Sequence, residues 1–145
     1  MGEINTDMDI DVNIDIAPEA MAHVLAAQAA GKDRFDIDFS DIRKGEAVGR
    51  LRVQEKHLNG FGICFGTFIF NLADMTCGIA FLTMGGFGPT VDGNISFIAG
   101  AKAGDVLVCR AKVQKYGKKV SFVEGHIYTE EGALVASTDF RFFHL

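Results

Sequence analysis

The stretch of sequence that decides the fold covers residues 57–92 and reads HLNGFGICFGTFIFNLADMTCGIAFLTMGGFGPTVD. After Gly66 its apolar residues recur at the spacing of a helix, and the residues between them are largely apolar too. The recurring positions are Phe68, Leu72, Met75 and Ile79. A helix that is apolar nearly all round belongs inside a protein. The sequence therefore predicts a long buried helix that begins near Gly66 and carries one carboxylate, Asp74.

A membrane-spanning helix is the alternative interpretation of this stretch, because about 20 mostly apolar residues suffice to cross a bilayer. Asn71 and Asp74 would then lie within the span. A charged residue at the bilayer centre costs at least about 2.5 kcal/mol on insertion scales. We therefore favour the core helix of a protein that has no membrane partner.

The sequence that follows the glycine-rich GGFGP changes to a period of two, which predicts strands. We expect four of them, at about Thr90 to Ile98, Val106 to Tyr116, Val120 to Thr129 and Leu134 to Phe143. The turns between them are too short for crossover helices, so the strands should be antiparallel neighbours in a meander.

The sequence before the central helix predicts a second helix and further strand. Pro18 suits a first helical turn, and good helix formers continue to Gly31. Alternating residues on both sides of Lys44 and Gly45 predict at least one strand, which ends before Asn59. Residues 1–17 alternate acidic and apolar side chains and suit either an edge strand or a solvated acidic tail. Nothing divides the chain, so we expect one α+β domain over residues 1–145.

Composition excludes several classes of function. A net charge of −5 and a pI near 5.3 argue against general binding of nucleic acid or anionic membranes. The three cysteines contain no C-x-x-C pair and the four histidines are scattered, so we expect neither a disulfide framework nor a metal site. The N-terminal residues do not resemble a secretory signal. A reducing cytoplasm is the expected location.

Several motifs together resemble the hotdog-fold thioesterases of the phenylacetate-degradation type, which hydrolyse acyl-coenzyme A. These motifs are HLNGFGICFGTFIFNLAD, VDGNISFIAGAKAGDVL, KYGKK and EEGALVA, in the order that the family has. The resemblance covers about residues 57–145. It implies a curved antiparallel sheet wrapped around a long helix, and dimers that pair into homotetramers.

The resemblance also implies which residues form the site. Asn59, Gly66 and Asp74 fit the family pattern, and Thr90 falls where relatives place a hydroxyl. Two positions depart from the pattern: Phe65 stands where the family has histidine, and Thr67 stands in place of a second glycine. We expect Phe65 to reshape or narrow the acyl pocket.

Thioester hydrolysis gives these residues roles. Unpaired N–H groups at the helix start, at Gly66, would stabilise the oxyanion. Asp74 would be the general base that activates water or, less favoured, a nucleophile, and its apolar surroundings should raise its pKa. Asn59 would donate to the thioester carbonyl or hold the water, and Thr90 would orient the water. Structural roles remain an alternative for each of the four.

Geometry makes dimerisation a condition of this chemistry. Eight residues of helix separate Gly66 from Asp74 by about 12 Å, too far for one thioester carbon to touch both. We therefore expect Gly66 and Asn59 of one protomer to face Asp74 of its partner across a homodimer interface.

Coenzyme A enters this reaction as part of the acyl-CoA substrate, and no separate cofactor is expected. In relatives the turn that corresponds to residues 115–120 lies near the nucleotide, so the resemblance points to Lys115, Gly117 and Lys118 as phosphate contacts. A solvated hairpin tip is an equally good interpretation of this turn.

Two other functions and one other mechanism stay open. Phe65 and Thr67 are compatible with a non-catalytic acyl-CoA-binding protein. A hydratase or dehydratase would need a histidine beside Asp74, for which His126 or His144 is the candidate. Cys64 near His57 suggests a thiol nucleophile, but no third orienting group is evident. The acyl group itself is left open between an aryl group and a medium-length chain.

Overall fold

The computed structural model describes residues 15–145. Within them lie two α-helices, a short 3-10 turn at Glu55–His57 and six strands. The helices are α1 (Pro18–Phe35) and α2 (Gly66–Thr83). The strands are β1 (Asp38–Arg43), β2 (Glu46–Arg52), β3 (Thr90–Phe97), β4 (Val106–Lys115), β5 (Val120–Thr129) and β6 (Leu134–Phe143).

One curved antiparallel sheet carries all six strands, in the order β1-β2-β4-β5-β6-β3, and α2 packs against it. The predicted architecture, a sheet wrapped around a long apolar helix, is confirmed. The buried side of α2 consists of Ile69, Leu72, Ala73, Thr76, Cys77, Ile79, Ala80, Phe81 and Thr83. By length and composition α2 could also cross a membrane. Its apolar surface is explained by its packing in the core of this sheet.

Two glycines of the sheet allow α2 to lie close to it. A side chain at Gly49 on β2 would overlap the Thr76 hydroxyl of the helix. A Cβ atom at Gly125 on β5 would lie 2.8 Å from Cys77 Sγ. Because the interior is close-packed, a larger residue at either position would force the helix and the sheet apart. The two glycines therefore allow the short distance between α2 and the sheet.

The predicted four-strand meander is wrong in one respect. β4, β5 and β6 form a meander, but β3 pairs with β6 and lies at the edge of the sheet. Residues 98–105 are long enough to carry the chain from that edge past the start of α2 to β4. Two backbone hydrogen bonds hold this link in place: Cys64 N donates to Ala101 O at 2.8 Å, and Val53 N donates to Asp105 O at 2.8 Å.

The first part of the chain agrees with the prediction in type but not in its boundaries. α1 continues beyond Gly31 to Phe35, because Gly31 is a packing position against the Phe39 ring and does not end the helix. The alternating residues around Lys44 form two strands, β1 and β2, which pair as a hairpin. The acidic segment predicted as a tail or an edge strand lies mostly in residues 1–14, outside the described residues, and stays a prediction.

Candidate active site

Helix α2 and edge strand β3 run side by side in opposite directions, which the contacts at their two ends show. Asp74 in the middle of α2 is hydrogen-bonded to Thr90 at the start of β3. Gly66 at the start of α2 lies under the ring of Phe97 at the end of β3, where a Cβ atom on Gly66 would be 2.8 Å from Phe97 Cζ. The two ends of β3 therefore mark the two ends of the candidate site.

The carboxylate of Asp74 is half-buried on α2. Thr90 Oγ1 donates a hydrogen bond of 2.8 Å to Asp74 Oδ1. Burial raises the pKa of Asp74, and the Thr90 hydrogen bond offsets part of this rise because it stabilises the charged form. Within residues 15–145 no protein donor is bonded to Oδ2. This oxygen is therefore the one that can accept a proton from water.

The start of α2 presents unpaired backbone donors. Phe65 is the N-cap residue, and its side chain makes no capping hydrogen bond. Its carbonyl accepts from Phe68 N at 3.1 Å and from Ile69 N at 3.4 Å. Within the described residues the N–H groups of Gly66 and Thr67 have no protein acceptor. Two donors at a helix N-terminus, where the dipole favours negative charge, can stabilise an oxyanion.

An open cleft of about 420 Å³ lies at this end of the helix. It is lined by Asn59, Phe61, Ile63, Cys64, Gly66, Ile69, Phe97, Ile98, Ala99 and Gly100. Asn59 Oδ1 accepts from Phe61 N at 2.9 Å and from Ile63 N at 3.4 Å, which fixes the loop and assigns the two ends of the amide. The Nδ2 group makes no hydrogen bond within the described residues. Asn59 is therefore placed to donate to a carbonyl group in the cleft.

Phe65 stands beside the cleft, and 45% of its surface is exposed. Its ring lies edge-on to Phe68, with ring centres 6.3 Å apart, and Phe68 lies edge-on to His57 at 4.7 Å. A phenyl ring cannot donate a hydrogen bond to a carbonyl oxygen or to water. At this position the chain offers apolar contact surface for a ligand.

The thiol of Cys64 is unsuited to act as a nucleophile. Burial raises its pKa to about 11, so the reactive thiolate is scarce near neutral pH. Its Sγ donates to Phe65 O at 3.5 Å. His57 does not activate it, because His57 Nδ1 accepts from Gln54 N at 2.9 Å as part of a cap.

Neither histidine that would support a hydratase is bonded to Asp74. His126 Nδ1 is 3.1 Å from Ser137 Oγ, and His144 Nε2 is 2.7 Å from Ser121 Oγ. Within residues 15–145 no group of three or more histidine, cysteine or acidic side chains is arranged to hold a metal ion. The prediction that no metal is needed stays a prediction.

The turn that contains the predicted phosphate contacts lies at the opposite end of α2. Tyr116 packs against Phe81 in the last turns of the helix, with ring centres 6.3 Å apart. Lys115 and Lys118 are exposed and Gly117 is half-buried. Within one protomer these three residues do not line the cleft of Asn59 and Gly66. Asp74 and Thr90 lie between the two ends.

Sequence reasoning missed two features of this region. Phe97 covers Gly66 although 31 residues separate them in the chain, and a strand phenylalanine carries no signal of such a contact. The hydrogen bonds of Ser121 to Gly117 and His144 were also missed, and the second of them depends on the pairing of β5 with β6.

Comparison with known proteins gives a family and several relatives. Residues 61–136 match the family described as the thioesterase superfamily. Acyl-coenzyme A thioesterase PaaI of Escherichia coli is 29% identical over 115 residues, which are 79% of this chain and 82% of that protein. The solved structure of the E. coli PaaI protein, from the phenylacetic acid degradation operon, superposes with a TM-score of 0.80, at 27% identity, over 85% of this chain and 94% of that chain.

Two further relatives extend this comparison. Human acyl-coenzyme A thioesterase 13 is 34% identical over 80 residues, which are 54% of this chain and 57% of that protein. A Streptococcus mutans protein, solved with acetyl CoA bound, has a TM-score of 0.73 at 25% identity and matches 75% of this chain and 88% of that chain. The matched regions cover 66%, 57% and 57% of the curated relatives from Archaeoglobus fulgidus, Pongo abelii and human.

Proposed function

Because this chain belongs to the thioesterase superfamily, we propose that it hydrolyses the thioester bond of an acyl-coenzyme A to a free acid and coenzyme A. The observation that carries the proposal is the carboxylate of Asp74, half-buried and held by Thr90 on the same helix that presents unpaired N–H groups at Gly66. Burying part of a carboxylate is unfavourable, so a chain that keeps one here is expected to use it. The names of the E. coli and human relatives support the same reaction.

In the proposed reaction, the carboxylate of Asp74 and the N–H group of Gly66 act together in the first step. Asp74 Oδ2 accepts a proton from water as the water oxygen bonds to the thioester carbon. The carbonyl oxygen becomes an oxyanion, which Gly66 N–H stabilises together with the amide of Asn59. When the intermediate collapses, the carbon–sulfur bond breaks and the proton held by Asp74 passes to the leaving thiolate. The products are the carboxylic acid and the thiol of coenzyme A.

The site is completed by a second protomer in this proposal. Gly66 and Asp74 lie about 12 Å apart along α2. Among residues 15–145, β3 is the last strand of the sheet, so no described strand pairs with its outer edge and a second copy can do so. If two copies join these edges antiparallel about a two-fold axis, the end of one β3 lies beside the start of the other. Gly66 beneath Phe97 then approaches the Asp74 that Thr90 holds in the second copy.

The surface along β3 supports such an interface. Val91, Phe97 and Ile98 are 54%, 55% and 53% exposed in the single chain. An unpaired strand edge and exposed apolar side chains both favour association. A second copy on this edge would pair the backbone groups and bury the apolar side chains. We propose a homodimer as the catalytic unit and the pairing of dimers into a homotetramer as its extension.

Substrate recognition follows the same scheme. Lys115 and Lys118 are exposed cations that can bind the phosphates of coenzyme A, and Gly117 shapes the turn between them. Phe65 and Phe97 offer apolar surface to an aryl or medium-length acyl group. An aryl group is favoured by the operon of the E. coli relative. The three cysteines are free and buried, which suits a reducing cytoplasm.

Substitution of Asp74 tests the role of the base. Asp74→Asn keeps the shape and the acceptor for Thr90 but cannot take a proton, so kcat should fall by about 100-fold or more. Asp33→Asn makes the same chemical change at an exposed position on α1 and should leave turnover unchanged. Free thiol release from a panel of aryl-acetyl and medium-chain acyl-CoAs is the measurement. Equal turnover by both variants would remove Asp74 from the mechanism.

Mixed dimers test whether the site crosses an interface. Gly66→Pro and Asp74→Asn should each be nearly inactive alone. Co-expression with different affinity tags allows the mixed dimer to be isolated. If the site is shared, this dimer contains one intact site, formed by Gly66 of one protomer and Asp74 of the other, and should recover about half of wild-type activity. A mixed dimer as inactive as its parents would place both groups in one protomer's site.

A non-catalytic acyl-CoA-binding protein is the second candidate, and Phe65 favours it. Its exposed ring stands where the family has a histidine. This candidate predicts saturable binding of acyl-CoA without thiol release above the buffer rate. The same panel of substrates, followed by calorimetry where no thiol is released, separates the two functions.

A further inference from the structure

The turn between β4 and β5 is held by a side chain that none of the proposed roles uses. Ser121 Oγ accepts a hydrogen bond from Gly117 N at 3.1 Å. The same oxygen lies 2.7 Å from His144 Nε2. Ser121 is fully buried, so water does not compete for these bonds. One hydroxyl thus connects the middle of the turn to the residue that follows β6.

The backbone of the turn is fixed on its other side as well. His144 N donates to Lys119 O at 2.8 Å. Gly117 has no room for a side chain, because a Cβ atom there would overlap the carbonyl oxygen of Val120. His144 therefore holds the turn through its backbone at Lys119 and through its side chain, by way of Ser121, at Gly117.

The imidazole of His144 is itself held in place by aromatic rings. It lies edge-on to Tyr116 and to Phe81, with ring centres 4.8 Å and 4.9 Å away. The Gly117 N–H takes up one lone pair of Ser121 Oγ, and the hydroxyl forms its second hydrogen bond with His144 Nε2, in a direction set by the imidazole tautomer. A buried serine and a packed histidine therefore both hold the backbone of one exposed turn.

We propose that Ser121 and His144 are positioning residues that hold the turn of residues 116–119 in the shape that presents Lys115 and Lys118 to the phosphates of coenzyme A. The inference rests on the proposed function, since it needs this turn to be the phosphate site. Long lysine side chains lose considerable entropy when they bind, and a rigid backbone beneath them lowers the part of that cost that comes from the turn. Neither residue touches the reacting atoms.

This role predicts a selective defect in binding. Loss of the Ser121 or His144 side-chain bond should weaken binding of the phosphate-bearing half of coenzyme A and leave the pantetheine half unaffected. Hydrolysis of acyl-CoA should show a raised KM with kcat within about twofold of wild type, because uniform binding energy is removed. A purely structural role would lower the amount of folded protein and change kcat and KM for every substrate alike.

The experiment compares His144→Leu, His144→Gln and Ser121→Ala with the wild-type protein. Leucine removes the hydrogen-bond partner of Ser121 Oγ, whereas the glutamine side chain can place an amide group near the position of Nε2. Calorimetry measures Kd for coenzyme A, for adenosine 3′,5′-bisphosphate and for pantetheine. We expect about a tenfold rise in Kd for the first two probes with His144→Leu and Ser121→Ala, and recovery to within about twofold with His144→Gln.

The outcomes separate this inference from the proposed function. Unchanged Kd values for coenzyme A in His144→Leu overturn the inference, even if wild-type protein hydrolyses acyl-CoA. Failure of the wild-type protein to bind coenzyme A overturns it too. A selective loss of binding supports the inference even if no thioester is hydrolysed, in which case only the proposed reaction fails. If Ser121→Ala does not fold, the comparison of leucine with glutamine at position 144 decides.

Discussion

The two ends of helix α2 are built in opposite ways. At its far end Phe81 is 1% exposed and stacks on Phe142 at 5.0 Å, and His144 packs edge-on against it. At its beginning Phe65 makes no side-chain cap, and the N–H groups of Gly66 and Thr67 have no protein acceptor among the described residues. At the far end, rings cover the helix and the carbonyls of Phe81 and Leu82 accept from the backbone that follows, whereas the beginning leaves two N–H groups without a described protein acceptor.

The difference agrees with the proposal that the functional groups of this helix lie at its beginning. A helix end without partners is unfavourable when it is covered, unless a ligand or a second subunit supplies the partners. At the other end of the same helix, aromatic side chains around Phe81 do cover the last turn. Under the proposed function, a substrate and a second protomer would supply the partners that the open end at Gly66 lacks.

The largest expected effect is loss of stability at the closed end. Phe81→Ala removes a fully buried ring and leaves a cavity, so the free energy of unfolding should fall by about 3–5 kcal/mol. Phe65→Ala, the matched change at the open end, should cost about 0.5 kcal/mol because the ring is partly exposed. Urea denaturation at a fixed protein concentration measures both. Similar losses at the two ends would contradict the comparison.

The next effect concerns activity at the open end and isolates one N–H group. Gly66 is the first helical residue, a position where proline is tolerated, and Phe65 has φ −56° and ψ 136°, which suits a residue before proline. Gly66→Pro therefore removes the donor without disrupting the helix. Gly66→Ala keeps the donor and also adds a Cβ atom against Phe97, so it is the matched control.

The proline variant should lose about 100-fold more kcat than the alanine variant, the usual effect of one oxyanion donor. Circular dichroism checks that both variants keep their helix content. If proline and alanine reduce kcat equally, the loss comes from contact with Phe97, and the N–H of Gly66 has no part in catalysis.

The sequence predicted the central helix from Gly66 because its apolar residues recur at helical spacing, and the period of two located the last four strands closely. It could not predict that β3 leaves the meander for the edge, because strand order depends on where residues 98–105 cross the molecule. Asp74 and Thr90 were both identified by resemblance, but their hydrogen bond required the geometry of helix against strand. The positioning of Gly117 by Ser121 left no local pattern at all.

A smaller effect should follow from Thr90, whose hydrogen bond ties Asp74 to β3. This bond lowers the pKa of Asp74 against the larger opposing effect of burial. Thr90→Val keeps the shape but removes the donor, so the pKa should rise further. The acid limb of the profile of kcat/KM against pH should then move to higher pH. Thr90→Ser keeps the hydroxyl and should retain the wild-type limb.

The smallest effect should be a gain in stability when the base is removed. The folded state raises the pKa of Asp74 above its ordinary value of 3.8 and therefore binds a proton more tightly than the unfolded chain. Stability is then lost as pH rises from that ordinary value through the folded pKa, and the loss is complete above it. Asparagine does not titrate, so Asp74→Asn should melt at a higher temperature than wild type at pH 7, and the two curves should converge near pH 3. A lower melting temperature at pH 7 would mean that the ionised carboxylate stabilises the fold. Asp74 would then have a structural role, as the packed side chains at the closed end of the helix have.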